Sequence, residues 1–317
     1  MPEASVIEIY LADPQREIRR LMRSALRDIQ LNVSEDYEDC GPFREAVREG
    51  APDLIIIDAE LTGGDACSLV RAIRHHRLGP NPFIPIIVTS WVSTAAHIRE
   101  LIDSGADGLL IKPISIETVQ RHIDLIVNKR KPFVVTSSYI GPDRRKDPER
   151  TSTVPLIDVP NTLRAKISGE PIDWLALQQQ IASLTVEINA ERLRRNAFEL
   201  SFLVELTLSS FDANVSDSEL RSNITRLQTV AMDTTQRLAG SVFAQSADLC
   251  RTLLRVVTSL VDGDAKPARV DLQLLKPLTD AILVGFNPDR NAAAMTQEII
   301  ASIGTFEARQ KTWDKSD

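Results

Sequence analysis

Asp13, Asp58, Thr89 and Lys112 are of the types that handle phosphorus and hard metal ions when they meet. Each follows a short apolar run: "VIEIYLA" (6–12) leads to Asp13, "LIII" (54–57) to Asp58, "FIPIIV" (83–88) to Thr89 and "GLLI" (108–111) to Lys112. The run at 54–57 reads as a strand buried on both faces, yet it ends on a carboxylate, with Glu60 two residues on. Two carboxylates held close repel one another, and one pKa rises unless a cation sits between them. A site of oxygen donors suits Mg2+, which takes few protein carboxylates and keeps several waters. A carboxylate beside such an ion can act as a nucleophile toward phosphorus. An ammonium then neutralises one phosphoryl oxygen as a point charge, and a hydroxyl hydrogen-bonds another.

These residues meet only if their runs are strands of one parallel sheet. From residue 5 to about 129 short β-branched runs alternate with amphipathic helical stretches: "REIRRLMRSALRDI" follows the first run, "FREAVREG" the second (31–37), and "ACSLVRAIRHHR", "STAAHIRELIDSG" and "SIETVQRHIDLIVNK" the third to fifth. Five strand–helix pairs predict an α/β doubly wound parallel five-stranded sheet with helices on both faces, because crossovers are right-handed. In such sheets ligands bind outside the carboxyl ends of the strands, where all four side chains stand.

The texture changes after residue 130. Pro132, Pro142, Pro148, Pro155, Pro160 and Pro171 interrupt residues 131–171, which also carry the charged patch "DRRKDPER" (143–150). That spacing predicts a linker or an irregular docking arm. From Ile172 the periodicity is helical, with heptad-like steps at Leu177, Ile181, Leu184 and Ile188, at Leu220, Ile224, Leu227, Ala231, Thr234 and Leu238, and at Val242, Ser246, Leu249, Leu253, Val256 and Leu260. Five helices are expected, over 172–210, 217–239, 241–262, 269–286 and 289–311, the first long enough to be a coiled-coil stalk leading into a bundle. The expected division is therefore 1–130, a linker or arm at 131–171, and an all-α coiled-coil or helical-bundle domain at 172–317.

Composition limits the function. With 317 residues, two domains can each bury a core. The net charge of −7 is spread along the chain and neither large block is basic, which argues against nucleic acid as the main partner. Arg192, Arg194 and Arg195 are too few for a DNA-reading helix. Cys40, Cys67 and Cys250 are scattered without disulfide or zinc spacing, which fits a reducing compartment. The start Met-Pro-Glu has no leader pattern and no apolar run reaches the length of a membrane span, so the expectation is a cytoplasmic chain without a membrane partner.

Residues 5–129 resemble the receiver domain of two-component response regulators. The resemblance lies in "LADP" at the first acidic turn, "LIIIDAEL" at the phosphoacceptor strand, "IPIIVTS" at the switch hydroxyl and "GADGLLIKP" at the Lys-Pro turn, in that order and spacing. It implies strand order 2-1-3-4-5, Asp58 as phosphoacceptor, Asp13 as a direct Mg2+ ligand, Glu60 as a ligand through its backbone carbonyl, Thr89 as switch hydroxyl and Lys112 as the phosphate-sensing lysine. It also implies a sensor histidine kinase or a histidine phosphotransfer protein as donor. Two positions depart from the family. Ala12 replaces an acidic residue that holds the metal through water, which should weaken Mg2+ binding. Leu109 replaces an aromatic ring whose rotamer reports phosphorylation, so switching through that ring is absent.

His75, His76, His97 and His122 all lie in the receiver block, and the absence of histidine beyond residue 130 excludes a fused phosphotransfer or kinase dimerisation module. His75 and His76 end a helix, where cations are favoured; His97 and His122 read as ordinary helix residues. The patch at 143–150 is either an anion site or a solvated segment packed on the acidic receiver; its arginines lack PilZ-type cyclic-dinucleotide spacing. The expectation is a response regulator whose helical output binds an unknown downstream protein or forms a parallel homodimer. Two alternatives stand beside it: a phosphatase acting on a receiver, through Glu187 with Asn189 or Asp233 with Gln236, and a degenerate receiver used only for docking.

Overall fold

The computed structural model describes residues 6–145, 154–212, 217–262 and 269–313. The chain divides into two compact units, Met1–Thr185 and Val186–Asp317.

In the first unit, strands β1 (Ile9–Ala12), β2 (Glu35–Tyr37), β3 (Leu54–Asp58), β4 (Ile86–Ser90) and β5 (Gly108–Ile111) form a parallel sheet in the order β2-β1-β3-β4-β5. Helices α1 (Arg16–Arg27), α2 (Cys40–Glu49), α3 (Ala66–Arg74), α4 (Ala95–Asp103) and α5 (Ile116–Lys129) alternate with them. Every residue of β3 and β4 is buried, as an inner strand covered on both faces requires. Successive side chains point to opposite faces. Ile55 and Ile57 join Phe43, Val47, Val70, Ile73 and Leu101 in one core, while Leu54 and Ile56 join Met22, Leu26, Val119 and Ile123 in the other. Each such buried aliphatic chain stabilises the fold by roughly 1.5–3 kcal/mol. Polar N-caps start the helices: the Asp65 carboxylate accepts from the amides of Cys67 and Ser68, and the Ser115 hydroxyl accepts from the amide of Thr118.

The described residues of 131–167 carry regular structure. Strands β6 (Phe133–Val135) and β7 (Ile140–Pro142) form an antiparallel hairpin, Phe133 also bridges to Ile157, and α6 (Thr162–Ile167) follows. Pro142 is tolerated because it ends a strand of a two-stranded ribbon. Lys146 to Arg150 of the charged patch lie outside the described residues.

The helices expected after residue 171 are α7 (Trp174–Asp212), α8 (Asp217–Arg237), α9 (Ala247–Asp262), α10 (Arg269–Phe286) and α11 (Ala292–Trp313). α9 starts later than the expected residue 241, because Gly240 adopts φ 70° and residues 244–246 form a short 3-10 turn. Leu220, Ile224, Leu227, Ala231 and Leu238 are buried in the second unit's own core with Leu193, Leu200, Leu253 and Phe286. Leu177, Ile181 and Leu184 of α7 are only half-buried. Cys40 and Cys67 in the first unit and Cys250 in the second are buried free thiols. No helix among the described residues is long and apolar enough to cross a membrane.

Candidate functional site

Asp13 leaves the end of β1, and its backbone amide donates to the Tyr37 carbonyl (3.0 Å) as the sheet ends. Asp58 is the last residue of β3 and stands in register with Thr89 on β4; Lys112 follows β5, its amide donating to the Ser90 carbonyl (2.8 Å). Adjacent parallel strands therefore deliver the four side chains to one edge. All are buried: Asp13, Asp58 and Thr89 are 1% exposed and Lys112 is 4% exposed.

The carboxylates share one geometry. Oδ1 of each is held by its own turn, accepting from the amide of Gln15 for Asp13 (2.8 Å) and from the amide of Glu60 for Asp58 (2.9 Å). Oδ2 of each points inward, and the Lys112 ammonium donates to both, at 2.6 Å to Asp13 and 2.5 Å to Asp58. The Thr89 hydroxyl also donates to Asp58 Oδ2 (3.0 Å). One cation thus already occupies the point on which two buried carboxylates converge, and hard oxygen donors of this kind fit Mg2+. Burial pushes the Asp13 carboxyl above its ordinary range, the Asp58 charge adds to this, and the bonds from Lys112 and Gln15 oppose it.

Ala12 is fully buried within the sheet core, so the position where the resemblance places an acid presents only a methyl group. Among the described residues no group of three or more His, Cys, Asp or Glu side chains is placed to hold a metal ion. Glu60 is exposed, and its backbone amide donates to Asp58 Oδ1. Leu109 is half-buried and packs against the same core as Ala12.

Sequence reasoning missed three contributors. Trp91 places its ring centroid 5.6 Å from the Lys112 ammonium, an arrangement favourable for a cation over an aromatic face. The Ser90 hydroxyl pairs with His97 Nε2 (3.2 Å). The Gln15 and Glu60 amides are backbone donors, which no residue type announces. The loop after β4 has no periodicity that would have marked Trp91.

The phosphatase candidates are committed elsewhere or exposed. The Asp233 carboxylate accepts from Arg192 (3.2 Å), Arg237 (2.9 Å) and Asn196 (3.0 Å). Burial alone would raise its pKa, but Arg237, Arg192 and Asn196 outweigh it and hold the carboxyl at about 2. Asn189 donates to the Arg237 carbonyl (3.1 Å), while Glu187 and Gln236 are exposed. Arg194 and Arg195 pair with Glu191.

Comparison with known proteins places the likeness in the first unit. Residues 9–124 match the response regulator receiver domain. The KDP operon transcriptional regulatory protein KdpE of Escherichia coli strain K12 is 30% identical over 122 residues, 38% of this chain and 51% of that protein, so the match spans about half of this relative. Chemotaxis protein CheY-3 of Vibrio cholerae is 21% identical over 123 residues, 39% of this chain and 93% of that protein. Among solved structures, the receiver domain of the sensor histidine kinase PA1611 from Pseudomonas aeruginosa PAO1, described with a magnesium ion coordinated in its active site cleft, is 22% identical over 38% of this chain and 96% of that chain, with a TM-score of 0.34.

Proposed function

We propose, from the premise that residues 9–124 are a response regulator receiver domain followed by a helical region, that Asp58 accepts a phosphoryl group in a Mg2+-dependent reaction. The observation that carries this reading is the Lys112 ammonium bonded to Oδ2 of both Asp13 and Asp58, with the Thr89 hydroxyl on the same atom of Asp58. An Asp58 carboxylate oxygen forms the new bond to phosphorus, and the bond from phosphorus to the donor breaks with its electron pair leaving on the donor. Lys112 and the Thr89 hydroxyl hold phosphoryl oxygens. Asp13, Asp58 and the Glu60 carbonyl would hold Mg2+, which when bound supplies positive charge to the phosphoryl oxygens. Receiver domains take part in two-component signalling and typically partner with sensor histidine kinases. For this chain the donor is such a kinase or a histidine phosphotransfer protein.

The helical region then acts by binding, to a downstream protein or to a second copy through the half-buried α7 positions Leu177, Ile181 and Leu184. Incubation with acetyl phosphate and Mg2+, read on a phosphate-affinity gel, is expected to give a slowed band that chelation of the metal and Asp58→Asn both abolish. No slowed band, or one that persists in Asp58→Asn, overturns phosphorylation here and leaves the domain a docking module.

A further inference from the structure

The "SYIGPDRR" stretch and its neighbours have no part in the site above, yet they make dense contacts with the sheet end opposite to it. The first contact is between two glycine backbones. Gly105, in the turn before β5, has φ +98°, and a Cβ there would lie 2.5 Å from the Ile140 carbonyl oxygen. A Cβ on Gly141 would lie 2.8 Å from the Gly105 Cα and 2.7 Å from the Tyr139 hydroxyl oxygen. The Arg144 guanidinium closes the clasp, donating to the carbonyls of Ala106 and Asp107.

The second contact covers a buried ion cluster. Asp107 accepts from Arg74 (2.7 Å) and Arg130 (2.7 Å), and burial that would raise its pKa is outweighed by the two arginines. Phe133, fully buried, has the Arg74 and Arg130 guanidiniums 5.2 and 5.3 Å from its ring centroid. Arg130 also donates to the Pro160 carbonyl (3.0 Å), and Asn161 donates to the Ile126 carbonyl (2.8 Å). The third contact is α6. Leu163 is buried in the core of α1 and α5, and Lys166 donates to Asp53 (2.7 Å) and to the Val6 carbonyl (2.8 Å), with its ammonium 5.4 Å from the Trp174 ring.

We propose that residues 131–145 and 154–167 form an intramolecular strap that completes the receiver fold, its docking surface being the turn at Gly105–Asp107 and the Arg74–Asp107–Arg130 cluster. The strap grips the start of β5, four residues from Lys112 at its end, and its far end reaches Trp174, the first residue of α7. It is therefore the covalent and packed route from the receiver sheet to α7. This inference does not rest on phosphorylation of Asp58.

Hydrogen–deuterium exchange on the full chain tests it without any phosphodonor. The amides of Phe133, Thr136, Asp143 and Ile157, each donating to a backbone carbonyl, are expected to exchange at least about 100-fold slower than in a free peptide. Free-peptide rates at these positions overturn the strap. In Gly141→Val and in the milder Arg144→Ala, exchange of the strap and of residues 105–111 is expected to rise together by at least about tenfold, with α2, which packs in the core on the other face of the sheet, unchanged. If Gly141→Val unfolds the whole unit, Arg144→Ala decides. Release of the strap with no change at 105–111 overturns the claim that it completes the fold. Lys166→Met, which keeps the apolar stem, is expected to speed exchange at 174–178; no change there overturns the link to α7.

Discussion

At the scale of single residues, Lys112 is the counter-ion that lets two carboxylates be buried side by side. Breaking a buried ion pair by deleting one partner costs about 3–5 kcal/mol, because the charge left behind stays desolvated. Lys112→Met is therefore expected to lower the melting temperature of the receiver transition. Since Asp13 and Asp58 then lack a cation, added Mg2+ is expected to restore more stability to the variant than it adds to the wild type. Calorimetry with and without millimolar Mg2+ checks both points; equal Mg2+ effects in the two proteins would place the metal elsewhere. The four converging side chains were legible because each ends an apolar run whose period declares a strand, and a parallel sheet brings strand ends together. The Gln15 and Glu60 amides and the Trp91 ring were not, since a backbone donor has no residue signature and an irregular loop sets the ring's direction.

At the scale of elements, β3 and β4 announced themselves through unbroken Ile and Val runs. The hairpin β6–β7 did not, because Pro142 and Gly141 are residues that ordinarily end strands, and its support is tertiary: two arginines over its own Phe133 ring and a close contact with Gly105. Asp107 shows what that support is worth. It neutralises Arg74 and Arg130 together, so Asp107→Asn leaves two buried guanidiniums short of charge and is expected to destabilise the first unit by about 3–5 kcal/mol, measured by urea denaturation. The helical element pair α7–α8 carries a counterpart in Asp233, whose folded pKa of about 2 lies below its ordinary 3.8. A depressed carboxylate pKa contributes stability that is present above the unfolded value and is lost as pH falls through the folded one. Its contribution, on the order of 2 kcal/mol at neutral pH, is expected to fade between about pH 4 and pH 2. The stability gap between wild type and Asp233→Asn should narrow over that window; a gap independent of pH would show that packing alone sets it.

At the scale of the whole molecule, heptad spacing had two different meanings. The steps at 220–238 face inward and build the second unit's core, whereas Leu177, Ile181 and Leu184 keep part of their apolar surface exposed. Periodicity cannot separate an internal seam from an external one, because both require the same stripe. If the outer stripe pairs with a second copy, light scattering on the full chain reports twice the mass of 35.2 kDa, and Ile181→Asp returns it to one. A monomeric mass for the wild type would remove the homodimer. The cysteines give the two units separate clocks. Burial holds the Cys67 thiol up at about 11 and the Cys250 thiol at about 12, and neither side chain is accessible while its unit stays closed. A thiol reagent added in native buffer therefore modifies Cys67 only when the first unit opens and Cys250 only when the second does. Mass spectrometry of the modified peptides then times the two openings in one sample, with no label introduced.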